Sequence, residues 1–151
     1  MTPHLEHVCD FIVELAQPHE MGDSPGGKRR IIPIVGGTAR GPLINGRILG
    51  VGADWQTVLA GGIADLDARY AIETDDGAVI EVISQGIRHA SPEVNARIAA
   101  GEVVPPSDYY MRTAMRLETG HPAYDWVNRV LFLASGGKTG SSVHLAIYRV
   151  G

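Results

Sequence analysis

The chain has 151 residues and, with 13 basic and 17 acidic side chains, a formal net charge of -4. No basic stretch is longer than Lys28–Arg30, so the sequence lacks the positive face that nucleic-acid-binding proteins need. The single cysteine, Cys9, excludes an internal disulfide. No apolar run approaches the roughly 20 residues of a membrane helix, and the N-terminus does not read as a signal peptide. We therefore expect one domain, 1–151, that is cytoplasmic and has no nucleic-acid or membrane partner.

Most of the chain alternates apolar and polar residues with the period of two that is typical of β-strands. "TDDGAV", around Asp76, is a hairpin signal because Asp-Gly accepts the positive φ angles of a type I′ turn. One helix is predicted in "SPEVNARIAAG", where Ser91 can cap the N-terminus and Pro92 takes the first helical position. The sequence thus predicts an all-β protein, an antiparallel β-barrel of about 8–10 strands with one short α-helix near 92–100. The predicted strands are 5–15, 29–35, 43–49, 54–60, 64–75, 78–89, 110–119, 128–135 and 142–150.

Two of the predicted strands carry polar faces that invite a functional interpretation. In 65–73, alternation places Asp67 and Arg69 on one face, and in 110–118 it places Tyr110, Arg112 and Glu118 on one face. These faces either meet solvent, as is usual for half-buried strands, or line a polar lumen. Since the planar guanidinium fork suits a carboxylate or an enolate oxygen, the arginines favour a lined pocket, with a volume of roughly 300–1,000 Å³.

Asp54 and Trp55 stand side by side where the glycine-rich segment "GVGADWQ" becomes a strand. Because adjacent strand residues point to opposite sides, only one of the two side chains can face a barrel lumen. If Asp54 faces inward near the mouth, an apolar neighbourhood would raise its pKa and suit acid–base chemistry. If Trp55 faces inward, it provides a stacking wall and Asp54 caps the turn through backbone N–H groups. The residues leave both alternatives open.

At the level of motifs the chain resembles a known family. "KRRIIPIVGGTARGPLINGRILGVGADWQ", "DLDARYAIETDDGA", "YYMRTAMRLET" and "YDWVNRVLF" are similar, in this order, to the domain of unknown function 3237 family, also called uncharacterised protein family 0311. The resemblance implies a compact β-barrel and a homo-oligomer, and it implies no reaction. The chain departs from the family's usual aromatic residues at Met111 and Leu117, which bears on packing more than on chemistry.

Several familiar site motifs are absent. "GGKTGSS" ends like a phosphate-binding loop, but Phe132 stands where the first glycine is required. His4 and His7 are three residues apart, which on a strand places them on opposite faces, so the sequence predicts no metal site. No Gly-x-Ser-x-Gly elbow is present. We expect no cofactor.

Two hypotheses about function remain. The first is a cofactor-free enzyme of the acid/base type, an isomerase, cyclase or lyase acting on a small oxygenated organic molecule in the lumen. Its predicted catalytic residues are Asp54, Glu118 and Tyr110, with the two carboxylates as candidate bases and the tyrosine as acid. The alternative is a barrel that binds a small ligand without chemistry. In both, the predicted ligand-binding residues are Arg69, Arg112, Trp55, Asp67 and Asn128.

Overall fold

A computed structural model describes all 151 residues and confirms the all-β antiparallel barrel. One α-helix and two short 3₁₀ segments, Pro106–Asp108 and Pro122–Arg129, interrupt the strands. In chain order the elements are β1 (Leu5–Leu15), β2 (His19–Ser24), β3 (Gly27–Arg40), β4 (Gly46–Ile48), β5 (Gly52–Leu59), β6 (Ile63–Thr74), β7 (Val79–His89), α1 (Pro92–Ala99), β8 (Tyr110–Glu118), β9 (Phe132–Thr139) and β10 (Ser142–Val150).

The barrel closes because β1 pairs with β10 on one side and with β3 on the other. Antiparallel pairing then runs from β10 through β9, β8 and β7 to β6. Both β4 and β5 lie between β6 and β3, and together they fill one position of the ring. β2 pairs only with the first half of β3. The result is an eight-position closed barrel with two extra strands, which leaves few free sheet edges.

β3 is the strand that serves both extra strands. Its first half pairs with β2 and β5, and its second half pairs with β1 and β4. Gly37 lies in the second half with φ of 134°, a conformation that L side chains rarely adopt. A Cβ atom there would also collide with the carbonyl oxygen of Ile12. Glycine at this position therefore lets β1 approach β3 closely enough to close the ring.

Apolar side chains fill one end of the barrel. A single cluster of buried residues contains Phe11, Ile72, Ile80, Phe132 and Ile147, all of which are fully buried. An eight-stranded barrel has an interior just wide enough for side chains to fill, so the apolar face of each strand has to turn inward. At the other end this packing gives way to a cavity.

The helix lies beside that open end. Ser91 accepts a hydrogen bond from the backbone N–H of Val94, and Pro92 occupies the first turn, as predicted. Asn95 donates to the carbonyl oxygens of Gly62 and Ala90, which ties the helix to the turn between β5 and β6. No helix of the structure has both the length and the apolar character to span a membrane.

Three parts of the strand prediction were wrong. β3 was predicted to end at residue 35, because Gly36 and Gly37 suggest a turn, but it continues to Arg40. β2 was missed, because His19–Ser24 is mostly exposed and shows no apolar alternation. β9 was predicted too early in the chain, at 128–135, because the glycines of "SGGKTG" suggest a turn after residue 135. In the structure Gly136 and Gly137 continue the strand, where a Cβ atom would press on the His144 carbonyl or the Pro106 ring.

Candidate functional site

A cavity lies inside the open half of the barrel, and we call it the lumen cavity. Its volume is about 80 Å³, and ten of its 17 lining residues are hydrophobic. A single water needs roughly 10–15 Å³ of such space, so the cavity holds roughly five to eight water-sized groups. Its apolar wall includes Val13, Ile32, Ile34, Leu66, Val143 and Leu145, and its polar groups belong to Arg30, Asp54, Gln56, Tyr70, Ser84, Arg88, Thr113 and Lys138.

A wider depression, the outer funnel, lies directly outside the lumen cavity and has a volume of about 500 Å³. It is lined by the start of β3, the end of β5, the start of β6 and the helix, including Lys28, Val58 and Asn95. Three cationic residues, Arg30, Arg88 and Lys138, line both spaces, so they mark the junction between the funnel and the lumen. A small molecule entering from the funnel therefore passes three positive charges.

The strand order along the cavity places Asp54 and Tyr70 at its floor. On β5, Val58 lines the funnel and Asp54 is the lumen residue farthest from it. On β6, Tyr70 takes the corresponding deepest position, and its ring packs edge-on against Phe11 of the core, with centroids 6.3 Å apart. Ala68 pairs with Asp54 across the two strands, so Tyr70 is the next inward residue of β6 beyond that pair. The floor thus joins a carboxylate and a phenol.

Hydrogen bonds hold the Asp54 carboxylate in one orientation. The backbone N–H of Asp67 donates to Asp54 Oδ1 at 2.9 Å, and the side-chain amide of Gln56 donates to Oδ2 at 3.3 Å. The Gln56 oxygen in turn accepts from Arg30 Nε at 2.7 Å and also from its Nη2. Gln56, only 2% exposed, therefore connects the junction arginine to the floor carboxylate.

Burial sets the electrostatics of the floor. Desolvation raises the pKa of Asp54, and the hydrogen bonds from Asp67 and Gln56 and the charge of Arg88 offset only part of that rise. Burial also raises the pKa of Tyr70, so its hydroxyl keeps its proton at neutral pH. A carboxylate shifted toward neutral pH suits general acid–base work.

Three buried polar atoms of the lumen have no hydrogen-bond partner. They are the Tyr70 hydroxyl, Arg88 Nε and the Thr113 hydroxyl. Tyr70 and Thr113 are only 4% and 5% exposed, so bulk solvent does not satisfy them. Buried polar groups are nearly always paired with protein or with ordered water, and three orphans around one cavity indicate a place where water or a ligand binds.

The cations at the junction have few counter-charges. Arg30 lies 4.0 Å from Glu20, while Arg88 and Lys138 form no ion pair. Burial, and after it the Arg30 charge, lowers the pKa of Arg88. Burial, followed by Arg88 and then Arg30, lowers the pKa of Lys138. The three positive charges thus repel one another in a partly dry site.

The structure corrects the placement of most sequence-predicted site residues. Arg69, Asp67, Arg112, Glu118 and Tyr110 lie on the outer surface of the barrel, so the expectation that their faces line the lumen was wrong. The reason is steric, because the apolar faces of β6 and β8 carry the side chains that fill the interior. Arg112 packs over the Tyr110 ring at 5.4 Å and donates to the Met111 carbonyl. Asp67 Oδ1 accepts from Gln85.

The remaining predicted residues divide between the wall and a surface turn. Trp55 is 46% exposed on the outside, so the alternative in which it stacks in the lumen was wrong. Asn128 bridges Thr119 N–H and carbonyl, which stabilises a turn. Glu118 and Asn128 share an outer depression of about 220 Å³ with Arg116, separate from the lumen. Of the eight predicted residues, only Asp54 lines the lumen cavity. It lies at the floor and not at the mouth, because the mouth is at the opposite end of β5.

The sequence-based reasoning missed the residues that surround Asp54. Gln56, Tyr70, Ser84 and Thr113 are polar residues on otherwise apolar strand faces, and that signal was present in the sequence. Thr113, for example, lies among buried Met111, Met115 and Leu117. Lys138 was hidden because its segment was interpreted as a turn.

Metal ligation finds no support in the arrangement of side chains. No group of three or more His, Cys, Asp and Glu residues is close enough to hold an ion. The metal-free state stays a prediction, and elemental analysis of purified protein tests it.

The fold and the cavity define a class: a closed β-barrel with a small, partly apolar lumen, a carboxylate at its floor and cations at its mouth. Residues 3–150 match the model of the family described as "Protein of unknown function (DUF3237)". A "UPF0311 protein" of Rhodopseudomonas palustris is 40% identical over 152 residues, which cover 99% of each chain. One from Clostridium acetobutylicum is 36% identical and covers 96% of this chain and 92% of its own. The chain belongs to this family, as the motifs predicted.

Solved structures agree with this assignment. A β-barrel-like protein from Acinetobacter baumannii is 42% identical, with a TM-score of 0.88 over 100% of this chain and 98% of its own. A conserved protein of unknown function from Rhodopseudomonas palustris is 37% identical, with a TM-score of 0.96 over 100% and 99%. A protein from Penicillium herquei, described as an enzyme, has a TM-score of 0.74 over 100% and 96%. At 20% identity, this last likeness shows the fold alone.

Proposed function

We propose that this protein is an enzyme that moves a proton on a small oxygenated organic molecule in the lumen cavity. The observation that carries the proposal is the pairing, at the cavity floor, of a half-buried carboxylate with raised pKa, Asp54, and a buried, unpartnered phenol, Tyr70. Pairs of titratable groups in a site that excludes bulk water are a feature of acid–base active sites. The reaction class is isomerisation, cyclisation or elimination.

Each group has a defined part in that reaction. The ionised Asp54 carboxylate accepts a proton from an acidic C–H or O–H of the substrate, and the two donors from Asp67 and Gln56 keep it oriented. The Tyr70 hydroxyl donates a hydrogen bond to the oxygen on which negative charge develops. Protonated Asp54 then returns the proton to another atom of the same molecule, which completes an isomerisation or a ring closure. No external oxidant or reductant is needed.

A non-catalytic barrel is the second candidate, and the size of the lumen favours it. At about 80 Å³ the lumen cavity is smaller than the usual range of ligand pockets, roughly 300–1,000 Å³. A substrate would have to extend into the outer funnel while its reacting part reaches Asp54. A binder needs only the donors and the charge complementarity.

Proton exchange into deuterated water, followed by NMR, separates the two candidates without knowledge of the product. Small ketones, enones, lactones and carboxylic acids are screened with the wild type, and then with Asp54→Asn. General acid–base assistance is typically worth about 10²–10⁴-fold. We expect Asp54→Asn to retain its fold and its ligand affinity while exchange or turnover falls by a factor in that range.

Glu118→Gln is the matched control, because it also neutralises one carboxylate but lies on the outer surface. It should exchange protons as fast as the wild type. Suppose that a ligand binds tightly, exchanges no protons with the wild type and behaves in the same way with Asp54→Asn. That result would contradict the enzyme and support the non-catalytic barrel. Loss of exchange in Glu118→Gln alone would move the site to the outer depression.

A further inference from the structure

Three positive side chains converge where the outer funnel meets the lumen cavity, and they are the least neutralised charges of the barrel interior. Arg30, Arg88 and Lys138 line both spaces, and only Arg30 has a carboxylate within 4.0 Å, that of Glu20. Against them stands the single floor carboxylate, Asp54. The interior therefore has an excess of positive charge in a largely buried site.

Two residues that line the lumen cavity, Arg88 and Thr113, each carry a buried donor without a hydrogen-bond partner. Arg88 Nε is buried and has no hydrogen-bond partner. The neighbouring Thr113 hydroxyl, 5% exposed and also unpartnered, comes from β8, the strand that pairs with β7. A guanidinium fork with a free N–H, together with a free hydroxyl on the same cavity wall, supplies donors for the oxygens of a bound anion.

The walls on either side of the junction differ in polarity. The lumen wall below it is mainly apolar, whereas only five of the 14 residues of the outer funnel are hydrophobic. A ligand that suits both the cations and the lumen wall has an anionic head and a short apolar body. An inorganic anion would gain nothing from the apolar wall.

We infer that the lumen takes a small organic acid, whose carboxylate is bound by Arg30, Arg88 and Lys138 while its carbon chain reaches toward Asp54 and Tyr70. This inference deepens the proposed function, and it rests on that function for the claim that the acid is a substrate. The class of substrate is thus a short carboxylic acid whose carboxylate stays at the junction while its reacting carbon lies at the floor, beside Asp54 and Tyr70.

Calorimetric or NMR titration tests binding separately from turnover. The probes are acetate, propionate and butyrate, their neutral amides, and inorganic phosphate. We expect the carboxylates to bind at least tenfold more tightly than the amides, and butyrate more tightly than acetate. Phosphate binding as tight as butyrate binding would show an inorganic-anion site and overturn the inference, as would equal binding of acids and amides.

Lys138→Met and Arg88→Met should each weaken butyrate binding at least tenfold. Lys28→Met is the matched control, since Lys28 lines the outer funnel alone and its loss changes the net charge equally. An equal loss of butyrate affinity in Lys28→Met would mean that the positive charges attract the anion only at long range, and it would contradict the inference. Circular dichroism checks that each variant is folded, and Arg88→Lys replaces Arg88→Met if that variant unfolds.

The two proposals fail in different ways. Butyrate could bind tightly through Lys138 while no compound exchanges protons. That result would support the acid-binding site and contradict the proposal that the protein is an enzyme. Proton exchange that depends on Asp54, seen only with neutral compounds while no carboxylate binds, supports the enzyme and overturns the organic acid as its substrate.

Discussion

Asp54 and Trp55 are adjacent in sequence and lie on opposite sides of the barrel wall. The carboxylate lines the lumen cavity, while the indole is 46% exposed outside it. Gly52 precedes them in β5, and a larger residue would not fit there, because a Cβ atom would lie 2.5 Å from Tyr70 Cβ. Glycine at that position therefore lets β5 approach β6 where the two floor residues meet.

The outer polar residues provide the first prediction. Arg69→Gln and Glu118→Gln remove exposed charges that form no ion pair, so each should change the free energy of unfolding by less than about 0.5 kcal/mol. Denaturant unfolding measures this, and proton exchange should be unaffected in both. A loss of exchange in Arg69→Gln, with its fold retained, would assign the outer face of β6 to the site.

The stability of the protein should respond to pH through Asp54. Its pKa is higher in the folded protein than in the unfolded chain, so the folded state binds the proton more tightly. This contribution is complete below the unfolded pKa, near 3.9, and is lost as pH rises through the higher folded value. Asp54→Asn lacks this titration, so we expect its free energy of unfolding, relative to wild type, to rise with pH across that window and then become constant.

Denaturant unfolding of the wild type and Asp54→Asn at a series of pH values measures the difference. Asp54→Asn loses part of the hydrogen bonding from Gln56 or Asp67. This loss shifts its plot of unfolding free energy against pH by a constant amount and leaves the slope unchanged. A difference that falls with increasing pH would mean that the folded protein lowers the pKa of Asp54. That result would remove the physical basis for a general base.

Tyr70→Phe should separate stability from activity. Its hydroxyl is buried without a partner, and an unsatisfied buried group costs about 1–3 kcal/mol unless water compensates. Removing it should therefore leave thermal stability equal or higher, while proton exchange falls on the order of 10²-fold because the oxyanion loses its donor. Tyr148→Phe, on the outward face of β10, is the control and should leave exchange unchanged. Equal exchange in Tyr70→Phe and wild type would exclude Tyr70 from the reaction.

The fold followed from the sequence because alternation, turns and the helix cap are local signals. The Ser91 cap and β1 at residues 5–15 are present in the structure. The Asp76–Gly77 turn is present too, but it is not of type I′, because Gly77 has a positive φ and Asp76 does not. It was harder to predict which face of each strand points into the barrel and which points outward. Tyr110, Arg112 and Glu118 attracted attention as a polar face, yet in a narrow barrel that face is the outer one.

Most of the site could not be predicted for a related reason. Tyr70 and Thr113 are polar residues on apolar strand faces, but this local signal does not show that they meet at one cavity. The convergence of Arg30, Arg88 and Lys138 depends on pairing among strands far apart in the chain. Asp54 was identified because its own segment combines a turn, a carboxylate and a strand start.

The decisive measurement is a crystal structure with the compound whose protons exchange fastest. It tests whether the substrate binds in the lumen cavity beside Asp54 and Tyr70. We expect a ligand inside the lumen cavity, with an atom about 2.6–3.2 Å from the Asp54 carboxylate and an oxygen within the same distance of the Tyr70 hydroxyl. A ligand seated in the outer depression beside Glu118 and Asn128, with none in the lumen, would contradict it.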